Sequence, residues 1–180
     1  VARQADALYR PAKPIVKPDG SIRQPYDALE PLKQIQRQIK RRILDKVIFP
    51  AYLTGSLRGK DARRNAELHI GATVLVCEDI SNFFPSTTSQ LVFGIWREFF
   101  GFSPDVAQLL TSLTTKDQAL PQGAVTSSHL ANLAFWRDEH EVYEELHANG
   151  VSYSRYVDDV AFSSKHELGN HELSKYIQKV

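Results

Sequence analysis

From Glu30 onward apolar residues recur at helical spacing. Leu32, Ile35, Ile39, Ile43 and Val47 fall on one stripe, and Lys33, Arg37, Lys40 and Arg41 occupy the opposite face. The pattern predicts an amphipathic helix that ends before Pro50. Residues 1–27 show little periodicity. Within them, Lys13-Pro14-Ile15-Val16-Lys17 reads as an edge strand, because Pro14 has no N–H to give to a central ladder. Pro18-Asp19-Gly20-Ser21 signals a tight turn back into Ile22-Arg23-Gln24-Pro25, a hairpin with Lys17 and Arg23 on either side of its turn.

Beyond Pro50, residues 61–67 read as a short helix. The nearly continuous apolar run at 72–79 predicts a buried strand with Glu78 and Asp79 at its C-terminal edge. A helix that follows carries Leu91, Val92, Ile95, Trp96, Phe99 and Phe100 mostly inward. Ser103-Pro104-Asp105 opens another, with Ser as N-cap and Pro at the first position. Residues 127–147 predict one helix that buries Leu130, Leu133, Ala134 and Leu146 and turns Asp138, Glu139, Glu141, Glu144 and Glu145 to solvent. Two β-prone runs, 151–156 and 160–162, flank Asp158-Asp159 and predict a hairpin with two acids at its tip. A short polar helix at about 170–179 closes the chain.

Composition changes this picture little. A hydrophobic content of 42% is that of a globular protein, and 180 residues allow one ample core or two small lobes. The single cysteine, Cys77, rules out an internal disulfide framework, fits a reducing compartment and is expected to be a buried thiol within its apolar run. Cys/His zinc spacing is absent. No apolar run is long enough to cross a bilayer and the first residues carry no signal-peptide pattern, so the expected location is cytoplasmic, away from membranes.

Charge changes it more. The formal net charge of +1 hides an asymmetry: residues 1–70 hold 15 Lys and Arg against 7 Asp and Glu, whereas residues 71–180 hold 7 against 14. A basic half joined to an acidic half suggests polyanion binding beside cation binding. Within the basic half, Thr54-Gly55-Ser56-Leu57-Arg58-Gly59-Lys60 is a loop suited to offering backbone N–H groups, Arg58 and Lys60 to phosphates, without the spacing of a nucleotide-hydrolysing P-loop. In the acidic half, adjacent Asp158 and Asp159 repel one another and call for a cation or a proton.

Three segments then carry a resemblance. Asp79-Ile80-Ser81-Asn82-Phe83-Phe84-Pro85-Ser86, the stretch from Leu120-Pro121-Gln122-Gly123 to Asn132-Leu133, and Tyr156-Val157-Asp158-Asp159 resemble, in order and spacing, the three catalytic motifs of bacterial reverse transcriptases, the retron type especially. The basic segment from Lys17 through Arg64 resembles the finger motifs of the same family, so the likeness covers about residues 9–165. Val125 and Ser128 stand where the family usually has prolines, and Val157 where retron enzymes usually have Ala.

The resemblance implies an α+β right-hand polymerase core, an antiparallel palm sheet packed on helices, with the thumb absent from this chain. Fingers would span 1–70 and 104–122, and palm 71–103 and 123–180. It implies an RNA-directed DNA polymerase, a nucleotidyltransferase extending a primer 3′ end with two Mg²⁺ ions, or Mn²⁺ in their place. Asp79, Asp158 and Asp159 would be the catalytic metal ligands, Asp79 and Asp158 foremost, with the Ile80 carbonyl beside them. Lys17 and Arg23 would clamp the triphosphate, Phe84 would lie under the sugar, and Gln122 and Gly123 would line the nucleotide pocket. Tyr156 would support the primer end, with Arg58 and Lys60 on the nucleic-acid backbone. Expected partners are an RNA template, a DNA or RNA primer and deoxynucleotides, together with an associated non-coding RNA or effector protein in an antiviral defence setting. Two alternatives stay open at this point: a nucleic-acid-binding scaffold without synthesis, and a defence polymerase that is template-independent or protein-primed.

Overall fold

The computed structural model describes residues 1–16 and 20–168, so Lys17 and the helix expected at about 170–179 lie outside the described residues. Helices and small antiparallel sheets are both present, an α+β composition, and the chain divides into two compact units. One comprises Val1–Val47 and Asn82–Ala134, the other Ile48–Ser81 and Phe135–Val180. Residues 48–70, read from sequence with the basic first segment, therefore cluster with the larger sheet.

In the first unit, β1 (Tyr9–Pro11) pairs antiparallel with β4 (Tyr26–Ala28), and β2 (Ile15–Val16) with β3 (Ile22–Arg23). The second ladder is the expected hairpin; the first falls where the sequence shows little periodicity. Helix α1 (Leu32–Arg42) is shorter than the stripe suggested. At Ile43 the backbone leaves helical geometry (φ −121°), and a 3₁₀ turn at Leu44–Lys46 follows. The buried face is Leu32, Gln36 and Ile39, followed by Leu44. The inward stripe thus includes a glutamine, with Ile35 and Ile43 only half-buried.

The remaining helices of this unit are α3 (Phe83–Ser86), α4 (Ser89–Gly94), α5 (Pro104–Thr114) and α6 (Ser127–Asn132). Ser103 caps α5 as expected, its hydroxyl accepting from the Val106 N–H. Along α4 and the turn that follows it, Val92, Ile95 and Trp96 are buried, but Leu91 and Phe99, both expected inward, are exposed. A π-helical turn at Ile95–Phe99 rotates the apolar stripe away from simple helical spacing.

The second unit is built on a three-stranded antiparallel sheet ordered β5 (Val74–Asp79), β7 (Asp159–Ser164), β6 (Val151–Tyr156). One face of the sheet, carrying Val76, Val151, Tyr153, Val160 and Phe162, packs on Tyr52, Leu53, Leu57 and Leu146. Leu146 comes from α7 (Glu139–Ala148). The Tyr52 ring lies between Tyr143 and Tyr153, with centroids 4.6 and 5.5 Å away. On the opposite face His69 bridges two strands through Ser163 Oγ and Ser154 Oγ, both at 2.8 Å. Burial lowers the His69 pKa, so the neutral ring suits this double bridge. Helix α2 (Ala62–Glu67) precedes it, capped by the Asp61 carboxylate.

Three expectations fail along these segments. Strand β5 is an edge strand, and Leu75 and Cys77 are exposed rather than buried. An apolar run does not reveal whether it will be covered on one face or two. The single helix expected over 127–147 is two helices, α6 and α7, separated by turns at 133–138. There bonds such as Ala134 N–H to the Ala131 carbonyl (3.0 Å) and Asp138 N–H to the Phe135 carbonyl (3.1 Å) replace the helical ladder. Glu139, expected in solvent, is buried.

The buried glutamine of α1 gives a test of the first unit. Gln36 Nε2 donates to Tyr9 Oη at 2.7 Å and to the Leu113 carbonyl at 2.9 Å. It thereby ties α1 to β1 and α5, and burial pushes the Tyr9 hydroxyl up to about 12. Gln36→Leu keeps the volume but removes both donations. Urea unfolding should show a loss of about 1–3 kcal/mol, the cost of leaving buried acceptors unsatisfied.

Candidate active site

The acids meet because of strand register. Pairing of β5 with β7 sets Asp79 directly opposite Asp159, and pairing of β6 with β7 sets Tyr156 opposite Asp159. One row thus crosses the end of the sheet in the order Asp79, Asp159, Tyr156. Asp158 belongs to the two-residue turn between β6 and β7, and its carbonyl accepts from the Ile80 N–H at 2.9 Å. The residue facing Asp79 across the ladder is Asp159, and Asp158, the acid expected to ligate foremost with Asp79, stands beside it in the turn. Partial desolvation, then the charges of Asp158 and Asp79, hold the Asp159 carboxyl above the ordinary carboxylate range. Three negative groups this close make a place of unfavourable charge that a cation relieves.

The turn itself is strained. Val157 has φ +63°, a left-handed conformation that a β-branched residue rarely adopts. Its surroundings explain why it persists. The Tyr52–Thr54 stretch lies along the outer edge of β6: Arg155 N–H donates to the Tyr52 carbonyl and Thr54 N–H to the Arg155 carbonyl, each at 2.9 Å. Gly55 then passes so near the turn that an added Cβ would stand 2.5 Å from the Val157 nitrogen and 2.6 Å from its Cγ2. The loop read as a phosphate-facing element is thus, at Gly55, a close backbone brace for the acids. Within it Arg58 is exposed, while the Lys60 ammonium is engaged by the Pro50 and Leu53 carbonyls at 2.7 and 2.6 Å.

Beneath the turn lies a buried polar cluster that sequence reasoning missed. Arg155, with no exposed surface, donates from Nε and Nη2 to the two Glu139 oxygens at 2.6 and 2.8 Å. From Nη1 it donates to the Val157 carbonyl at 2.9 Å. Tyr153 Oη also donates to Glu139 Oε1, at 2.9 Å. A signal was available: Arg155 shares strand parity with Val151 and Tyr153, which puts a guanidinium on the core face, where it requires an acid.

The other expected residues belong to the first unit. Phe83 is buried and Phe84 half-buried, their rings edge-on at 5.9 Å. Gln122 and Gly123 lie against β4: the Gln122 carbonyl accepts from Tyr26 N–H at 2.7 Å, and Gly123 (φ +98°) passes where a Cβ would meet the Tyr26 carbonyl at 3.0 Å. Arg23 ends β3, paired with Ile15. Several cations of the basic half are partnered by surface acids, as in Arg10–Asp27, Arg37–Glu30 and Lys40–Asp45. Such exposed pairs contribute little to stability.

Among the described residues no cluster of three or more His, Cys, Asp or Glu closes around a metal ion. The carboxylates line an open edge instead. Mg²⁺ accepts such an edge, because it is commonly held by one or two carboxylates and completed by water and substrate phosphates.

The chain is similar to proteins of one family. Residues 15–180 match the family model described as reverse transcriptase (RNA-dependent DNA polymerase). The chain is 36% identical over 180 residues to the retron Se72 reverse transcriptase of Salmonella heidelberg (strain 579083-10), covering 100% of this chain and 48% of that protein. It is 33% identical over 174 residues to the retron Ec48 reverse transcriptase of Escherichia coli (91% and 42% covered). To the retron Ec86 reverse transcriptase of the same species it is 32% identical over 148 residues (82% and 46%). The chain spans about half the length of the curated relatives it matches. No helix among the described residues is long and apolar enough to cross a membrane.

The acid row makes a prediction about pH. A carboxyl whose folded pKa is raised is ionised at a cost to stability. That cost is absent at acidic pH, where the group is protonated folded and unfolded, and is fully present once pH exceeds the raised value. Without divalent cations, Asp159→Asn should therefore melt above wild type at pH 7, with the gap closing as pH falls below the ordinary carboxylate range. Mg²⁺ should raise the wild-type melting temperature more than that of the variant. Scanning fluorimetry across pH and Mg²⁺ concentration checks all three.

Proposed function

The chain belongs to the reverse transcriptase (RNA-dependent DNA polymerase) family, and from that membership we propose that its protein copies RNA into DNA by adding deoxynucleotides to a primer 3′ end. The observation that carries the proposal is the acid row: Asp79 and Asp159 opposed across β5 and β7, with Asp158 in the adjoining turn. The family generally uses divalent metal ions. Here Asp79, Asp158, Asp159 and the Ile80 carbonyl would hold two Mg²⁺. When bound, such ions would supply neutralisation of charge on the attacking 3′ oxygen and on the leaving diphosphate. The protein's own part is positioning: the ladder opposes two carboxylates, and the braced turn presents the third.

The further roles follow by family resemblance. Phe84, half-buried beside the fully packed Phe83, would lie under the incoming sugar. Gln122 and Gly123, held against Tyr26, would line the nucleotide pocket, and Arg23, with Lys17, would engage the triphosphate. Tyr156, next to Asp159 in the row, would support the primer end, and exposed Arg58 would meet a backbone phosphate. In these terms the second unit with its sheet would be palm and the basic hairpins of the first would be fingers. RNA template, primer, deoxynucleotides and an associated non-coding RNA are the partners this reading assigns.

Primer extension on an RNA template by the full-length protein tests the reading. Asp158→Asn should lower extension at least about a hundredfold with the fold retained, since losing one ligand disturbs both ions. Normal extension by that variant would remove the acids from catalysis. Sugar choice gives a second measurement. A phenyl ring crowds and desolvates a 2′-hydroxyl, so Phe84→Ala should narrow deoxy-over-ribo discrimination by about ten- to a hundredfold in single-nucleotide incorporation. Phe83→Ala should instead lower stability by about 3–5 kcal/mol and leave sugar choice alone.

A further inference from the structure

We propose that the buried Arg155–Glu139 pair is a positioning device for the acids: by gripping the Val157 carbonyl it sets where Asp158 and Asp159 stand. The inference rests on the polymerase reading of those acids. Arg155 is fully buried and α7 supplies the buried Glu139, so both charges have left water at large cost. Their geometry is good, a two-pronged fork at 2.6 and 2.8 Å, with Tyr153 Oη adding a third donor to the carboxylate. Burial, reinforced by the Glu139 charge, drives the Tyr153 pKa far up, so its hydroxyl keeps the proton it donates. The guanidinium also lies over the Phe135 ring, 5.4 Å from its centroid.

Stability alone does not account for such a pair, because well-packed apolar residues at these positions commonly serve as well or better. What an apolar pair cannot do is donate from Nη1 to the Val157 carbonyl at 2.9 Å. That carbonyl belongs to the strained residue, φ +63°, whose next two neighbours are the acids. The turn is then restrained at three points. Arg155 holds the Val157 carbonyl from the core face, and the Ile80 N–H holds the Asp158 carbonyl. Gly55 blocks retreat behind the Val157 nitrogen. Strain of this kind persists only where surroundings over-determine it. The guanidinium is the restraint that connects the acids to α7, and Tyr153 and Glu139 fix the guanidinium.

The experiment uses the full-length protein with the double substitution Arg155→Met/Glu139→Leu, and separately Tyr153→Phe. Three quantities are measured: melting temperature, Mn²⁺ affinity by electron paramagnetic resonance, and the kcat and deoxynucleotide KM of primer extension. The double variant should melt within a few degrees of wild type. Its Mn²⁺ dissociation constant should rise about ten- to a hundredfold, the effect expected when a group that orients a metal ligand is lost. The kcat should fall by a similar factor with KM nearly unchanged. Wild-type Mn²⁺ affinity and kcat in a folded double variant would overturn the inference and leave the pair a packing element. Should the double variant fail to fold, Tyr153→Phe decides, since it only removes one donor to Glu139: weaker Mn²⁺ binding at an unchanged melting temperature supports the inference, and unchanged binding overturns it. A wild-type protein that neither binds Mn²⁺ nor extends a primer would overturn the polymerase reading, and this inference with it. Wild-type activity beside unaffected variants overturns this inference alone.

Discussion

Antiparallel registration of β5 on β7 is the constraint from which the site follows. The ladder runs from Val74↔Ser164 to Asp79↔Asp159, and a slip of one residue would send Asp79 to the core face while its neighbour Glu78 came forward. The apolar face prevents the slip. Val76, Val160 and Phe162 are seated on Tyr52, Leu53 and Leu146, and each would move to the opposite face if the register changed. Packing on one side of the sheet therefore determines charge placement at its end. Hydrophobic burial, which has no directional preference, becomes a positional device because the strand period is two.

The tip of the hairpin shows how an unfavourable arrangement is sustained. Two aspartates follow a valine in a left-handed conformation, and a third aspartate faces the second of them. None of this is locally favourable. It persists because the residues around it have little freedom: a glycine with no room for a Cβ, an edge segment hydrogen-bonded to β6, and a buried guanidinium underneath. Strain of this sort is supported from outside the residues that bear it. The same logic explains Lys60, whose position in a basic loop suggests phosphate contact but whose ammonium is engaged by two carbonyls of the turn at 50–53.

Much of the site is legible in the order of residues along the chain. Local chemistry at short spacing predicts the acidic hairpin, the Ser103 cap, the strand ending in Asp79 and the hairpin that carries Arg23, because turn residues, caps and period-two runs act within a few positions. Motif order then points to the family, and the match over residues 15–180 bears that out. Adjacent Phe83 and Phe84 divide into one buried and one half-buried ring, a division that packing made.

Whatever depended on which surface would be covered was decided only in three dimensions. Cys77 and Leu75 are apolar in composition yet exposed, since β5 ended up at a sheet edge. Glu139 looks like one more solvated acid of a helix face, and Arg155 like a strand charge; they lie sixteen positions apart, and only the packing of α7 on β6 buries them together. Gln36 entered the core for a comparable reason, to meet a tyrosine and a carbonyl brought from distant segments. The sequence by itself determined which residues can ligate, turn or cap, because those capacities reside in single side chains and short spacings. Tertiary structure alone decided which charges would be buried and which acid would face Asp79, because burial and register belong to pairs of surfaces that one strand or helix cannot specify.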